Sequence, residues 1–165
     1  MKKLIAFTFS LTFLFGCNNH PKQLSTSAIP FSINSSTKIP IGKVKLNGKD
    51  AYFIFDSGSS ITIINQDDAD KYGISYDVLN SGVGKGIGGS AEIYTAYNAH
   101  ITYGDHVFSG KIYVSDLSGV KEGMKESSGY DVIGIIGSQS MQLAKIIIDY
   151  QKDSIFINNT FLVNL

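Results

Sequence analysis

The stretch Phe53-Ile54-Phe55-Asp56-Ser57-Gly58-Ser59-Ser60-Ile61-Thr62-Ile63-Ile64 sets one carboxylate in a turn of small residues between two strongly apolar segments. An ionised carboxylate beside a core is costly unless it is hydrogen-bonded or held for a reaction. Ser57, Ser59 and nearby backbone N–H groups can supply such bonds. Asp-Ser-Gly alone is also an ordinary turn, so the flanking strands carry more of the argument than the tripeptide. A second run, Gly82-Val83-Gly84-Lys85-Gly86-Ile87-Gly88-Gly89, contains a formal G-x-G-x-x-G match from Gly84 to Gly89. As a nucleotide fingerprint it should open a helix. The residues after Gly89 instead alternate with period two, so no helix N-terminus is available for a pyrophosphate, and a glycine-rich hairpin fits better. His20, His100 and His106 have no metal-binding spacing, and no G-x-S-x-G elbow is present.

The elements that must position Asp56 are short apolar runs punctuated by Gly, Asn and Asp, the pattern of an all-β domain with one or two short helices. Ile39 to Leu46, the Asn47-Gly48 turn and Ala51 to Phe55 predict a hairpin whose second strand delivers Asp56. Ile61 to Ile64 predicts a buried strand leaving the same turn. A short helix over Gln66 to Tyr72 comes next, stopped by Gly73, with Asp67, Asp68 and Asp70 on its solvated face. Alternation over 91–103 predicts one strand with Ala91, Ile93, Thr95 and Tyr97 on one side. A turn at Gly104-Asp105 leads to a strand from Val107 to Val114, and Leu117 to Gly129 has a loop composition. The C-terminal block predicts Val132 to Gly137 as a buried segment, a helical stretch over Ser138 to Ala144, and strands at Ile146 to Asp149 and Ile155 to Ile157.

The segment around Asp56 resembles the D-[ST]-G-[AS] catalytic turn of aspartic peptidases, specifically the single-domain, retropepsin-like group. Ile39-Pro40 and Asn47-Gly48 resemble that family's opening hairpin, and Thr62-Ile63-Ile64 the segment after its catalytic turn. Gly134-Ile135-Ile136-Gly137 resembles the apolar-apolar-Gly element behind the active site, and Ile147-Ile148-Asp149-Tyr150 through Phe156 the closing hairpin. The resemblance covers about Lys38 to Ile157 and implies an acid-protease closed barrel. It implies Asp56 as the catalytic carboxylate, Ser57 bonding across a dimer axis, Gly58 allowing close approach and Ser59 bonding the carboxylate. Lys85, Gly86, Ile87, Gly88 and Gly89 would form the tip of a flap over an extended peptide substrate. No metal or organic cofactor is implied.

Family members use two facing carboxylates that share one proton, since like charges that close cannot both ionise. One Asp-Ser-Gly turn in a chain of 165 residues then implies a homodimer with Asp56 of each copy at the axis. The principal alternative is a non-catalytic protein that uses the same barrel as a peptide-binding or interaction module.

Ahead of the domain, Lys2 and Lys3 precede an uncharged apolar run to Gly16, the pattern of a signal peptide and too short for a bilayer span. Leu14-Phe15-Gly16-Cys17 resembles the lipobox of bacterial lipoproteins, with Phe15 a bulky departure. The expected organisation is a signal peptide over 1–16, lipidated Cys17 and a polar tether over 17–37, and the peptidase domain over 38–165; the alternative for part of the tether is a strand at Ile29 to Ile33 that pairs with the domain or with a partner chain. This organisation implies a periplasmic or cell-surface domain anchored to a bacterial membrane. Cys17 is the only cysteine, so no intrachain disulfide can form. Formal charge is zero, and loss of Lys2 and Lys3 leaves the acids in excess by two, which gives no general attraction to nucleic acid.

Overall fold

A computed structural model of the chain describes residues 27–32, 38–86 and 89–157. The signal segment and Cys17 lie outside the described residues. In chain order the strands are β1 (Ser27–Ser32), β2 (Ile41–Leu46), β3 (Lys49–Asp56), β4 (Thr62–Asn65), β5 (Ser75–Gly86), β6 (Gly89–Tyr97), β7 (Ile101–Tyr103), β8 (His106–Phe108), β9 (Ile112–Ser115), β10 (Val132–Gly137), β11 (Ile146–Asp149) and β12 (Ser154–Ile157). The helices are α1 (Ser118–Ser128) and α2 (Ser138–Leu143), with 3-10 turns at Gln66–Asp68 and Asp70–Tyr72.

The hydrogen-bonded path runs β11-β12-β1-β2-β3-β10-β4-β9-β6-β5, and the β7–β8 hairpin pairs onto β2. The two end strands, β11 and β5, are not paired with each other among the described residues, so the path is open. The core it encloses is nonetheless one body: Phe53, Phe55, Ile64, Val114 and Ile136 meet Ile101, Phe108 and Ile155. Phe55 and Phe108 pack edge to face with centroids 6.1 Å apart.

Turn chemistry sets the register that delivers Asp56. Asn47 and Gly48 both take positive φ, 47° and 79°, so β2 and β3 pair tightly from Leu46–Lys49 to Ile41–Ile54. Asn47 also ties the turn down: its amide Nδ2 donates to the Tyr72 carbonyl at 2.9 Å, and its Oδ1 accepts from the His100 N–H at 2.9 Å. Gly73, at φ 67°, ends the second 3-10 turn as its position predicts, although the expected helix over 66–72 is two separate 3-10 turns.

Five expectations are corrected. Asp68, expected on a solvated face, is buried and bonded by Asn65 and Lys121. Ser27–Ser32, assigned by composition to the tether, is β1, paired antiparallel with β12 and then with β2, as the alternative strand at Ile29 to Ile33 has it. The single strand over 91–103 is broken at Asn98, which takes φ 52° and bonds the Gly73 carbonyl and the Ser75 N–H with its own amide. Asn98 supplies locally the bonds a continuous ladder would have made. The strand over 107–114 is interrupted at Gly110, φ 120°, where the chain leaves the β7–β8 hairpin to join β4. Leu117 to Gly129 is not a loop, because Ser118–Ser128 is a helix capped by Gly129 at φ 78°.

Candidate active site

Three strands cross behind Asp56. β10 runs parallel to β3, with Ile135, Ile136 and Gly137 opposite Ile54, Phe55 and Asp56, and antiparallel to β4 on its other side, with Gly134 and Ile135 opposite Ile64 and Ile63. The crossing is tight enough to exclude side chains. A Cβ at Gly137 would lie 2.2 Å from the Ile61 carbonyl oxygen, and one at Gly134 would lie 2.4 Å from the Ile63 carbonyl oxygen and 2.5 Å from the Phe53 ring. Polar bonds then fasten the turn to β10 and α2. The Ser138 N–H donates to the Ser59 carbonyl at 2.7 Å. The buried Thr62 hydroxyl accepts from the Gly137 N–H at 3.2 Å and donates to Ser140 Oγ at 2.8 Å.

Asp56 ends β3 half-buried, and the turn folds back on it. Its Oδ1 accepts the Gly58 N–H at 2.8 Å, and the Ser59 N–H donates to its carbonyl at 3.2 Å. A Cβ at Gly58 would stand 3.1 Å from that same Oδ1, so glycine gives the carboxylate its room. A carboxylate held by a backbone N–H and open on one side can exchange a proton with a bound water or carbonyl. Ser57 is exposed. Ser59 departs from the role that the family resemblance implies: its hydroxyl donates to the Ile61 carbonyl at 2.8 Å, which uses its one hydrogen.

Strand alternation shows what surrounds the carboxylate. Phe53 and Phe55 point into the main core. Tyr52, Ile54 and Asp56 share the opposite face of β3, and register extends that face to Ile135 on β10, Ile63 on β4, Tyr113 on β9 and Thr95 on β6. Ile54 is buried there, whereas Ile135, Ile63 and Tyr113 are half-buried. These residues were not singled out from the sequence, although counting back by twos from Asp56 identifies Ile54 and Tyr52. The rest depends on long-range register that no local pattern contains.

The glycine-rich run forms the end of a long hairpin. Lys85 pairs with Ser90 and Gly86 with Gly89, so Lys85, Gly86 and Gly89 stand at its tip. Ile87 and Gly88 lie outside the described residues. The hairpin face continuous with Thr95 carries Ile93 and Ala91 opposite Gly82 and Gly84, which leaves little side chain between that face and an approaching backbone. On the other side of the Asp-Ser-Gly turn, an open groove of about 350 Å³ is lined by Ser57, Ser138, Met141, Gln142, Lys145, Ile146 and Ile148. Among the described residues, no group of three or more His, Cys, Asp or Glu side chains is placed to share a metal ion.

The sequence over residues 42–139 matches the family described as aspartyl protease, and the chain belongs to that family. Its fold is retropepsin-like. The retroviral protease-like domain of Ddi1 from Leishmania major superposes with a TM-score of 0.52 at 19% identity, over 73% of this chain and 89% of that one. A retropepsin-like aspartic protease from Rickettsia conorii gives a TM-score of 0.49 at 19% identity, over 82% of this chain and 91% of that one. No curated protein matches the sequence.

Proposed function

We propose that this protein is an aspartic endopeptidase that cleaves extended peptide segments with two Asp56 carboxylates, one from each of two copies of the chain. The observation that carries this reading is the Asp56 turn: an accessible carboxylate, backed by the Gly58 N–H and by a crossing that only Gly134 and Gly137 allow. One carboxylate takes a proton from water as its oxygen attacks the peptide carbonyl carbon. The other, protonated, donates to the carbonyl oxygen, and collapse of the tetrahedral species expels the amine with a proton. Cleavage is expected to be best at mildly acidic pH, as a kcat/KM–pH profile would read it. Ser57 and the groove beside it support the dimer. That surface is apolar along Met141, Ile146 and Ile148, and the neighbouring Leu143 and Ile147 are exposed.

Lipidation at Cys17 would hold the domain on the outer side of a bacterial membrane. β1 begins at Ser27, so the tether from Cys17 is ten residues and spans at most about 35 Å. The domain would then work close to the lipid surface. Cys17→Ala is expected to move the protein from the membrane fraction to the soluble fraction and to abolish incorporation of labelled acyl chains.

The decisive experiment is Asp56→Asn in the mature protein, at concentrations shown by sedimentation to contain dimer. Wild type is expected to cleave unfolded peptides. The variant is expected to lose at least about 1000-fold in kcat/KM at unchanged Tm. Equal cleavage by the two proteins refutes the mechanism. Peptide binding without cleavage by wild type establishes the binding-module alternative instead.

A further inference from the structure

We propose that the segment over 161–165 folds back onto its own chain and fills the groove beside the Asp56 turn, so that a second copy must displace it before two Asp56 carboxylates can meet. The inference rests on the dimeric reading above and adds regulation to it: the single chain is latched, and dimerisation opens the latch. The groove is lined by apolar Met141, Ile146 and Ile148 and by polar Ser57, Gln142 and Lys145. Leu143, which follows Gln142 in the chain, is 56% exposed. An open apolar surface of this kind marks a contact site, and the chain that leaves the sheet beside it is at hand to cover it.

β12 ends at Ile157, opposite Ile146 in the β11–β12 ladder, and Ile146 lines the groove. The chain therefore leaves the sheet at the groove wall. Residues 158–165 lie outside the described residues, but their sequence suits the role. Asn158-Asn159-Thr160 favours a turn, and of the next five residues Phe161, Leu162, Val163 and Leu165 are apolar. In extended form Phe161, Val163 and Leu165 share one side, which gives the segment an apolar face to set against Met141, Ile146 and Ile148. Eight extended residues reach up to about 27 Å, enough to turn back and cross a groove that begins at residue 146.

Residues 158–165 carry no charged side chain, so the contact is apolar and short. Its strength comes from attachment. A linker of three residues, 158–160, holds the segment at an effective concentration in the millimolar range, above that of a second copy at micromolar concentration. The same proximity favours the groove of the segment's own chain over that of a partner. Ser57 is exposed and lines the groove, and the family resemblance gives it a bond across the dimer axis. A filled groove stands between Ser57 and its symmetry mate, so latch and dimer exclude one another.

The test locks the latch covalently. Gln142→Cys and Asn164→Cys are introduced together with Cys17→Ala, which removes the native thiol and leaves the apolar residues of both surfaces intact. On oxidation an intrachain disulfide is expected, seen as a faster-migrating monomer on non-reducing gels. It should form at least about 10-fold faster than in a control that pairs Asn164→Cys with Val83→Cys, an exposed position on the β5–β6 hairpin. The oxidised protein should stay monomeric in sedimentation where the reduced protein is dimeric, with kcat/KM at least about 10-fold lower, and dithiothreitol should restore both. In a second protein, Phe161→Asp with Val163→Asp removes the apolar face, and the dimer dissociation constant should fall by at least about 10-fold. Cross-linking between chains, cross-linking no faster than the control, or a dissociation constant that rises or stays the same overturns the latch and leaves the catalytic reading standing. A reduced dimer that cleaves no peptide overturns the catalytic reading and leaves the latch standing. Absence of dimer in every form overturns both.

Discussion

The two faces of β3, β4 and β10 use the same kinds of residue for opposite ends. On one face Phe53, Phe55, Ile64 and Ile136 are each 1% exposed or less and close the main core. On the other Ile54 is buried, but Ile63 and Ile135 are only half covered and Asp56 stands at the strand end among them. Composition does not distinguish these faces, since both are built from β-branched and aromatic side chains. What differs is the cover. The core face meets β7, β8 and β12, whereas among the described residues the other is covered by Met124 of α1 with Tyr130 and Ile39, at the end away from Asp56. An enzyme fold of this kind needs one face filled to hold the crossing rigid and one left unfilled to admit a peptide.

The sharpest way to break the comparison is to disturb the crossing that both faces share. Gly137→Ala drives a methyl into the Ile61 backbone, which cannot move without displacing the Asp56 turn. A loss of about 4 kcal/mol or more is expected by urea unfolding, or failure to fold. A stable, folded Gly137→Ala protein would show that the crossing is looser than its geometry. Next in size is a matched pair on the two strands that flank β10. Phe53→Ala empties the filled face and should cost about 3–4 kcal/mol, whereas Ile63→Ala on the half-open face should cost about 1 kcal/mol while lowering kcat/KM for apolar substrates. Equal stability losses at the two sites would remove the distinction between the faces.

Much of this arrangement is legible in the amino-acid sequence, and the parts that are not share a physical cause. Asn47-Gly48 specifies its hairpin locally, and Val132 to Gly137 and Ile146 to Asp149 announce themselves as unbroken apolar runs. These signals are short-range, so they survive without tertiary context. α1 has no such signal. Its Ser, Gly and Lys content argues for a loop, and it becomes helical because Met124 is buried and Lys121 meets Asp68, a partner 53 residues away. β1 is legible only as an alternative at Ile29 to Ile33 for the same reason, since its partners are β2 and β12 and the latter is more than 120 residues away. The break at Asn98 needed knowledge that Gly73 and Ser75 would stand beside it. Within the site, Asp56 and Gly58 are readable from the motif, whereas the bond from Ser59 to Ile61 and the floor of Ile63 and Ile135 come from the crossing itself.

The smallest effect sharpens the role of α1 as the cover of the half-open face. Burial alone would lower the Lys121 pKa, but the hydrogen bond and charge of Asp68, then those of Asp131, more than reverse this and raise it above the ordinary lysine value. A group whose folded pKa is raised stabilises the fold fully below its unfolded pKa, near 10.4, and ceases to do so as pH climbs through the higher folded value. Lys121→Met should therefore cost about 2 kcal/mol at neutral pH, where among the described residues it leaves the buried Asp68 with Asn65 as its side-chain donor. The difference between wild type and variant should be flat from pH 7 to about 9 and shrink above about 10.5. Urea unfolding of both proteins across that range measures it, with hydrogen exchange over Ser118–Ser128 reporting whether the loss is local to α1. A difference that stays constant into strong alkali would mean that the Lys121 stem, packed against its neighbours, holds α1 in place and that its charge does not.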